Sequence, residues 1–98
     1  MIATFVTFRF GSDFNEAKIR NIAEGARVKF EGMAGLRSKA FTLRPAQKEA
    51  VNFYVWESEA AAKAFFSDQL LEGVAALYGV RPSVDFAEIA TLVDNAHS

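Results

Sequence analysis

The stretch Ala50–Ser58 reads AVNFYVWES, and its alternation is typical of a β-strand. The two faces of this strand would carry Val51, Phe53 and Val55 on one side, and Asn52, Tyr54 and Trp56 on the other. The first face is wholly apolar. The second combines large rings with groups that form hydrogen bonds, whereas a face turned to water usually carries charged and small polar side chains. We therefore expect the first face to pack on helices, and something other than water to cover the second.

Length and composition indicate one globular domain over residues 1–98. A chain of 98 residues is near the common size of a domain and too short for two separate cores. Hydrophobic residues make up 51% and charged residues 23%, which is far from a disordered composition. The net charge of −1 gives no electrostatic reason to expect a nucleic acid or an anionic membrane as partner.

Residue counts also argue against several kinds of site. The chain has no cysteine, which excludes disulfides, thiolate metal sites and cysteine nucleophiles. Its one histidine, His97, is the second-to-last residue, so neither a metal centre nor a Ser-His-Asp triad is expected. The sequence shows no signal peptide and no apolar run long enough to span a bilayer, which favours a cytoplasmic location without membrane contact.

The periodicity along the chain predicts strands and helices in alternation. A strand over residues 2–10 is followed by a helix that Ser12 or Asp13 would cap, and then by a strand over residues 36–43. After the central stretch, Ser58 would cap a second helix that breaks near residues 67–69, and a last strand covers residues 84–93. The order strand, helix, strand, strand, helix, strand predicts an α+β fold of the ferredoxin-like type: four antiparallel strands with the helices on one face.

The helix-free face of this sheet is expected to be rich in aromatic and polar side chains. Its predicted members are Phe5, Thr7, Arg9, Arg37, Lys39, Phe41, Asn52, Tyr54, Trp56 and Asp85. A monomer rarely exposes an aromatic patch of that size, so a partner should cover it.

RNA is disfavoured as the partner of this face, because the third strand lacks the aromatic signature of RNA-recognition motifs. The remaining candidate partner is a second copy of the chain. Its sheet would either pack on this face without a gap or enclose a small-molecule cavity with it. Buried charged and amide groups need partners, which favours the cavity.

Four segments of the sequence resemble a known family. They are GLRSKAF (Gly35 to Phe41), FYVWESEAAAKAFF (Phe53 to Phe66), YGVRPSV (Tyr78 to Val84) and LVDN (Leu92 to Asn95). The chain resembles the YdhR-like monooxygenases of the dimeric α/β-barrel superfamily, to which the antibiotic-biosynthesis monooxygenases also belong. This resemblance implies a homodimer whose two sheets face each other, with a pocket between each sheet and its own helices or loops.

The resemblance also implies an activity and site residues. Relatives of this kind oxidise phenolic polycyclic compounds with O2 and without flavin, haem or metal. Their pattern of an asparagine and a tryptophan four residues apart corresponds to Asn52 and Trp56, which would be catalytic by stabilising a developing oxyanion. The expected substrate-binding residues are Tyr54, Arg9, Phe5, Phe41 and Lys39. Neither a cofactor nor a metal is expected. The alternative is a homodimer that binds a small molecule without catalysis or has a purely structural role.

Overall fold

A four-stranded antiparallel sheet is the frame of the computed structural model, which describes residues 1–95. The strands are β1 (Ile2–Arg9), β2 (Leu36–Arg44), β3 (Glu49–Trp56) and β4 (Ser83–Glu88), and the helices are α1 (Glu16–Phe30), α2 (Glu59–Phe65) and α3 (Asp68–Tyr78). The strand order is β2-β3-β1-β4, which confirms the predicted ferredoxin-like α+β fold. His97, which the sequence places after the last strand, lies outside the described residues.

The start of α1 differs from the prediction. Asn15 is its N-cap, and its side-chain oxygen accepts a hydrogen bond of 3.1 Å from the backbone N–H of Lys18. Neither Ser12 nor Asp13 caps the helix, because Gly11–Asp13 forms a separate 3-10 turn ahead of it. The glycine takes φ +58°, so the chain turns before the helix begins.

The other helix boundaries follow the sequence signals. Ser58 caps α2 by accepting a hydrogen bond of 3.1 Å from the backbone N–H of Ala61, as predicted. The predicted break is present, and Ser67 caps α3 in the same way. Gly79 ends α3 in the left-handed conformation at φ +87°. The last strand is shorter than expected, since β4 ends at Glu88.

The register between β1 and β3 decides which side chains face the helices. Val6 lies opposite Asn52, and Thr4 lies opposite Tyr54. The rings of Tyr54 and Trp56 lie 5.9 and 5.1 Å from the ring of Phe65 on α2. Asn52, Tyr54 and Trp56 are therefore on the helix side, where they are 5%, 4% and 1% exposed. The prediction that these three residues face away from the helices is wrong.

The cause of this error is that both faces of β3 are apolar enough to be buried. Packing against helices favours the side with the larger rings, because it removes more apolar surface from water. Val51, Phe53 and Val55 consequently lie on the helix-free face, with the Phe53 ring 5.1 Å from that of Phe5.

The same correction applies to β2, because its residues pair with β3. Lys39 lies opposite Tyr54 and Phe41 lies opposite Asn52, so both face the helices. Arg37 lies at an irregularity in the ladder between Leu36 and Ser38. The remaining predicted members of the helix-free face, Phe5, Thr7, Arg9 and Asp85, do lie on it.

Aromatic contacts hold the helices to the sheet. The Phe8 ring stacks on that of Tyr78 at 3.9 Å, which joins β1 to the end of α3. Trp56 stacks on Tyr54 at 5.6 Å and meets Phe66 edge-on at 5.9 Å. Within residues 1–95, no helix has the length and apolar composition needed to cross a membrane.

Candidate functional site

A cavity of about 390 Å³ lies between the helix side of the sheet and all three helices. Its apolar walls consist of Val6, Ile22, Ala26, Phe30, Phe41, Phe65, Phe66, Leu70, Leu71, Val74 and Leu77. Gly25 of α1 also lines it, and a Cβ at this position would meet no heavy atom within 4 Å. Small residues on α1 thus leave room between this helix and the sheet, in a size range typical of small-molecule sites.

Polar groups reach this cavity from both the sheet and the helices. Those on its wall are Asn21, Lys29, Lys39, Asn52, Tyr54 and Tyr78. Apolar walls with a few converging polar groups are typical of a small-molecule site, in which the polar groups fix the orientation of the ligand. The structure therefore brings together four of the predicted site residues, namely Asn52, Tyr54, Phe41 and Lys39.

Lys39 has an unusual environment for a lysine. Its Nζ donates a hydrogen bond of 2.8 Å to Tyr54 Oη and lies 3.4 Å from the centroid of the Phe30 ring. Burial, and secondarily the positive charge of Lys29, lower the pKa of Lys39 from 10.5 to about 7. Near neutral pH this side chain can therefore exist as a charged donor or as an uncharged amine. Burial, with a smaller effect from Tyr78, raises the pKa of Tyr54, so its hydroxyl keeps its proton.

Asn52 forms a second polar pair, with Tyr78. Its Nδ2 donates a hydrogen bond of 3.3 Å to Tyr78 Oη, which links the centre of the sheet to the end of α3. Burial raises the pKa of Tyr78, and the hydrogen bond from Asn52 opposes this shift. Both residues also line a second cavity of about 370 Å³ on the other side of α1. The pair thus lies on a wall shared by two cavities, and the amide retains a second N–H for a ligand.

Trp56 is absent from the wall of the 390 Å³ cavity among the residues that the structure describes. Its indole lies among the rings of Tyr54, Phe65 and Phe66, the three of which do line the cavity. Within residues 1–95, Trp56 Nε1 has no hydrogen-bond partner, and neither does Thr4 Oγ1 on the neighbouring strand. Trp56 thus lies behind the wall and packs against rings that form it, and its catalytic role stays a prediction.

Phe5 and Arg9 lie on the opposite face of the sheet from the cavity. Arg9 forms a salt bridge of 3.4 Å with Glu49 and donates a hydrogen bond of 3.0 Å to Ser83. Phe5 contacts Phe53 and is 38% exposed. The structure does not bring either residue to the cavity of its own chain.

Several wall residues were missed by the sequence reasoning. Phe30, Phe65 and Tyr78 are not among the site residues predicted from the sequence, yet all three line the cavity. The sequence signal available was the hydroxyl of Tyr78 within an otherwise aliphatic stripe, because a buried tyrosine hydroxyl usually has a specific partner.

The lowered pKa of Lys39 predicts a pH dependence of stability. Between about pH 7 and 10.5 the unfolded chain keeps a proton on Lys39 that the folded chain has lost, so the free energy of unfolding should rise with pH. We expect Lys39→Met to remove this rise and Lys63→Met, at an exposed position of α2, to keep it. Urea unfolding midpoints, measured from neutral pH up to the onset of tyrosine ionisation, give the slope of stability against pH for wild type and for each variant. Equal slopes in wild type and Lys39→Met would contradict the assignment.

Comparisons with known proteins identify the fold but no closer relationship. No protein-family model matches the chain, and no curated protein matches it significantly. Among solved structures, a monooxygenase from ActVA-Orf6 of Streptomyces coelicolor, in complex with nanaomycin D, has a TM-score of 0.68 and 20% identity, over 97% of this chain and 92% of that one.

Two further structures have the same architecture. An asparagine-to-alanine variant of SnoaB, a cofactor-independent oxygenase from Streptomyces nogalater, has a TM-score of 0.65 and 16% identity, over 94% of this chain and 96% of that one. A protein of unknown function from Nitrosomonas europaea reaches a TM-score of 0.70 at 14% identity, over 98% of this chain and 95% of that one. The chain therefore has the ferredoxin-like fold that these monooxygenases share.

Proposed function

We propose that this protein is a cofactor-independent monooxygenase, related to the YdhR-like proteins, that acts with O2 on a small aromatic or polycyclic phenol. The observation that carries the proposal is the cavity of about 390 Å³, in which aromatic walls surround Lys39, Tyr54 and Asn52. The fold shared with ActVA-Orf6 and SnoaB supports it. A cytoplasmic location remains a prediction.

The cavity suggests how such a substrate would lie. Its rings would pack against the wall formed by Phe30, Phe65 and Phe66, in which the Phe65 ring lies 5.8 Å from that of Phe30 and 4.9 Å from that of Phe66. Its hydroxyl would meet the Lys39–Tyr54 pair, where a charged Nζ stabilises a phenolate. The other end of the molecule would then approach Asn52 at the base of the cavity.

The proposed chemistry needs no oxidant except O2. The phenolate passes electrons to O2, and a CH2 carbon of the keto tautomer becomes a carbonyl, with one oxygen atom in the product and the other leaving as water. Negative charge develops on oxygen during this step. The free N–H of Asn52 would stabilise that charge, because a donor fixed in a buried site needs no reorganisation. In this proposal, Trp56 holds Tyr54 and Phe65 in place.

The predicted homodimer is also part of the proposal. On the helix-free face Phe5 and Phe53 form an apolar centre, flanked by the half-buried Val51, that a second copy of the sheet could cover. Phe5 and Arg9 would then act in assembly rather than in substrate binding. Because the cavity lies between one sheet and its own helices, the dimer is not required to form it.

Asn52→Ala tests the catalytic assignment. With hydroxylated naphthalenes or anthracenes, we expect wild type to consume O2, and Asn52→Ala to lose roughly 100-fold in kcat, the effect of removing one oxyanion donor. Tyr78→Phe is the matched control, because it breaks the same hydrogen bond and keeps the amide. An oxygen electrode measures both rates. Substrate binding by wild type without O2 uptake would favour the non-catalytic alternative, and equal losses in the two variants would remove Asn52 from the chemistry.

Phe5→Glu tests the assembly. We expect sedimentation velocity to show a dimer for wild type and a monomer for Phe5→Glu, since the substitution places a charge in the covered patch. Val28→Glu is the control, because Val28 is an apolar side chain on α1 that is 74% exposed outside this face. A monomeric wild type would contradict the predicted homodimer.

A further inference from the structure

Lys39 lies in an aromatic cage formed by Phe30, Phe41 and Tyr54. Its Nζ is 3.4, 4.1 and 4.3 Å from the centroids of these three rings. Tyr54 Oη, at 2.8 Å, is its hydrogen-bond partner, and no salt bridge among residues 1–95 includes Lys39. A lysine on a strand usually extends its ammonium group into water or pairs it with a carboxylate. Here the amine is held inside the wall of the cavity.

Lys39 also lies on the boundary between the cavity and a groove that opens to solvent. This groove, of about 410 Å³, shares Phe30, Lys39 and Phe41 with the cavity. Its other lining residues are Arg27, Glu31, Gly32, Leu36, Arg37 and Ser38, and all of these except Leu36 are exposed. A proton on Nζ can therefore pass to water on the groove side while a ligand fills the cavity side.

We propose that Lys39, as an uncharged amine, removes the hydroxyl proton of a phenolic substrate and later releases it to solvent through the groove. This inference rests on the proposed function. In the step, the O–H bond of the substrate breaks, an N–H bond forms on Nζ, and the electron pair stays on the phenolate oxygen. No electron is transferred until O2 reacts. The resulting ammonium ion remains beside the phenolate and donates a hydrogen bond to it or to Tyr54 Oη.

The electrostatics of the site support both protonation states. Burial, and secondarily the positive charge of Lys29 on α1, favour the amine and lower the pKa of Lys39 to about 7. Once Nζ is protonated, the three ring faces of the cage stabilise the cation. On the groove side the charged neighbours are Arg27, Glu31 and Arg37, and in the sheet the titratable neighbour is Tyr54. A general base is most effective when its pKa is near the working pH.

The competing explanation is that Lys39 is a fixed cation which only holds the phenolate. The two differ in where the substrate proton goes. If Lys39 is the acceptor, the bound phenolate forms without release of a proton to the buffer. If Lys39 is already an ammonium ion, each phenolate that forms releases one proton. An arginine at this position can act only as a fixed cation, because its guanidinium does not deprotonate in proteins.

The test uses 2-naphthol, whose absorption spectrum distinguishes naphthol from naphtholate, together with titration calorimetry in two buffers of different ionisation enthalpy. At about pH 8, above the Lys39 pKa, we expect wild type to bind naphtholate with no net proton release. Lys39→Met should bind neutral naphthol, and Lys39→Arg should release one proton for each naphtholate it binds. Lys63→Met, outside the cavity, is the control and should match wild type.

Three results would overturn the inference. Release of one proton per naphtholate in wild type would make Lys39 a fixed cation, and binding of neutral naphthol would remove it as a base. Both leave the proposed function standing, because the cavity would still bind a phenol. Absence of any binding of 2-naphthol would overturn the proposed function and the role of Lys39 together.

Discussion

The pairing of β1 with β3 at the centre of the sheet is the constraint on which the rest of the structure depends. Side chains alternate along a strand, so the register that sets Val6 opposite Asn52 also commits Tyr54 and Trp56 to the helix side. A shift by one residue would turn all three of these β3 side chains to the other face. Burial under the helices opposes that shift, since each large ring contributes roughly 1.5–3 kcal/mol when it leaves water. Trp56, at 1% exposure, is among the most deeply buried of them.

This register gives the two faces of the sheet different side chains and surroundings. The helix side has a ring-lined cavity with Lys39 and Asn52 on its wall, and the cavity is lined by elements of one chain. The helix-free side has an apolar centre around Phe5 and Phe53, and the polar side chains of Thr7, Arg9 and Asp85 lie on the same face. The proposed assembly and the proposed ligand binding would therefore use different faces of the sheet, and loss of the proposed dimer would leave the cavity walls in place.

Much of the fold could be predicted from the sequence, because local signals determine it. Alternation predicts the strands, and Ser58 caps α2 as expected, while a glycine in the left-handed conformation, Gly79, ends α3. The cap of α1 was misplaced, because Asn15 follows a 3-10 turn that contains two other good capping residues. The 3-10 turn, and not the capping preference of the residues, therefore determines which of the neighbouring polar residues caps α1.

The site was predicted only in part, for a tertiary reason. Asn52, Tyr54, Phe41 and Lys39 do come together, but on the face opposite to the one predicted. When both faces of a central strand are apolar, its own sequence does not show which face turns to the helices. That choice depends on which rings the helices cover. The environment of Lys39 could not be predicted from the sequence either. Its cage consists of rings from three different elements, Phe30 of α1, Phe41 of β2 and Tyr54 of β3, which only the tertiary fold brings together.

Fluorescence of Trp56, the one tryptophan of the chain, tests the orientation of β3 most directly. The measurement is acrylamide quenching in a monomeric variant with Phe5 replaced by glutamate, so that a partner sheet cannot shield the indole. With Trp56 under α2, the account predicts blue-shifted emission and quenching at a small fraction of the rate for free tryptophan. Red-shifted emission and quenching close to that of free tryptophan would place the indole on the helix-free face. That result would contradict the register and, with it, the position of Asn52 in the cavity.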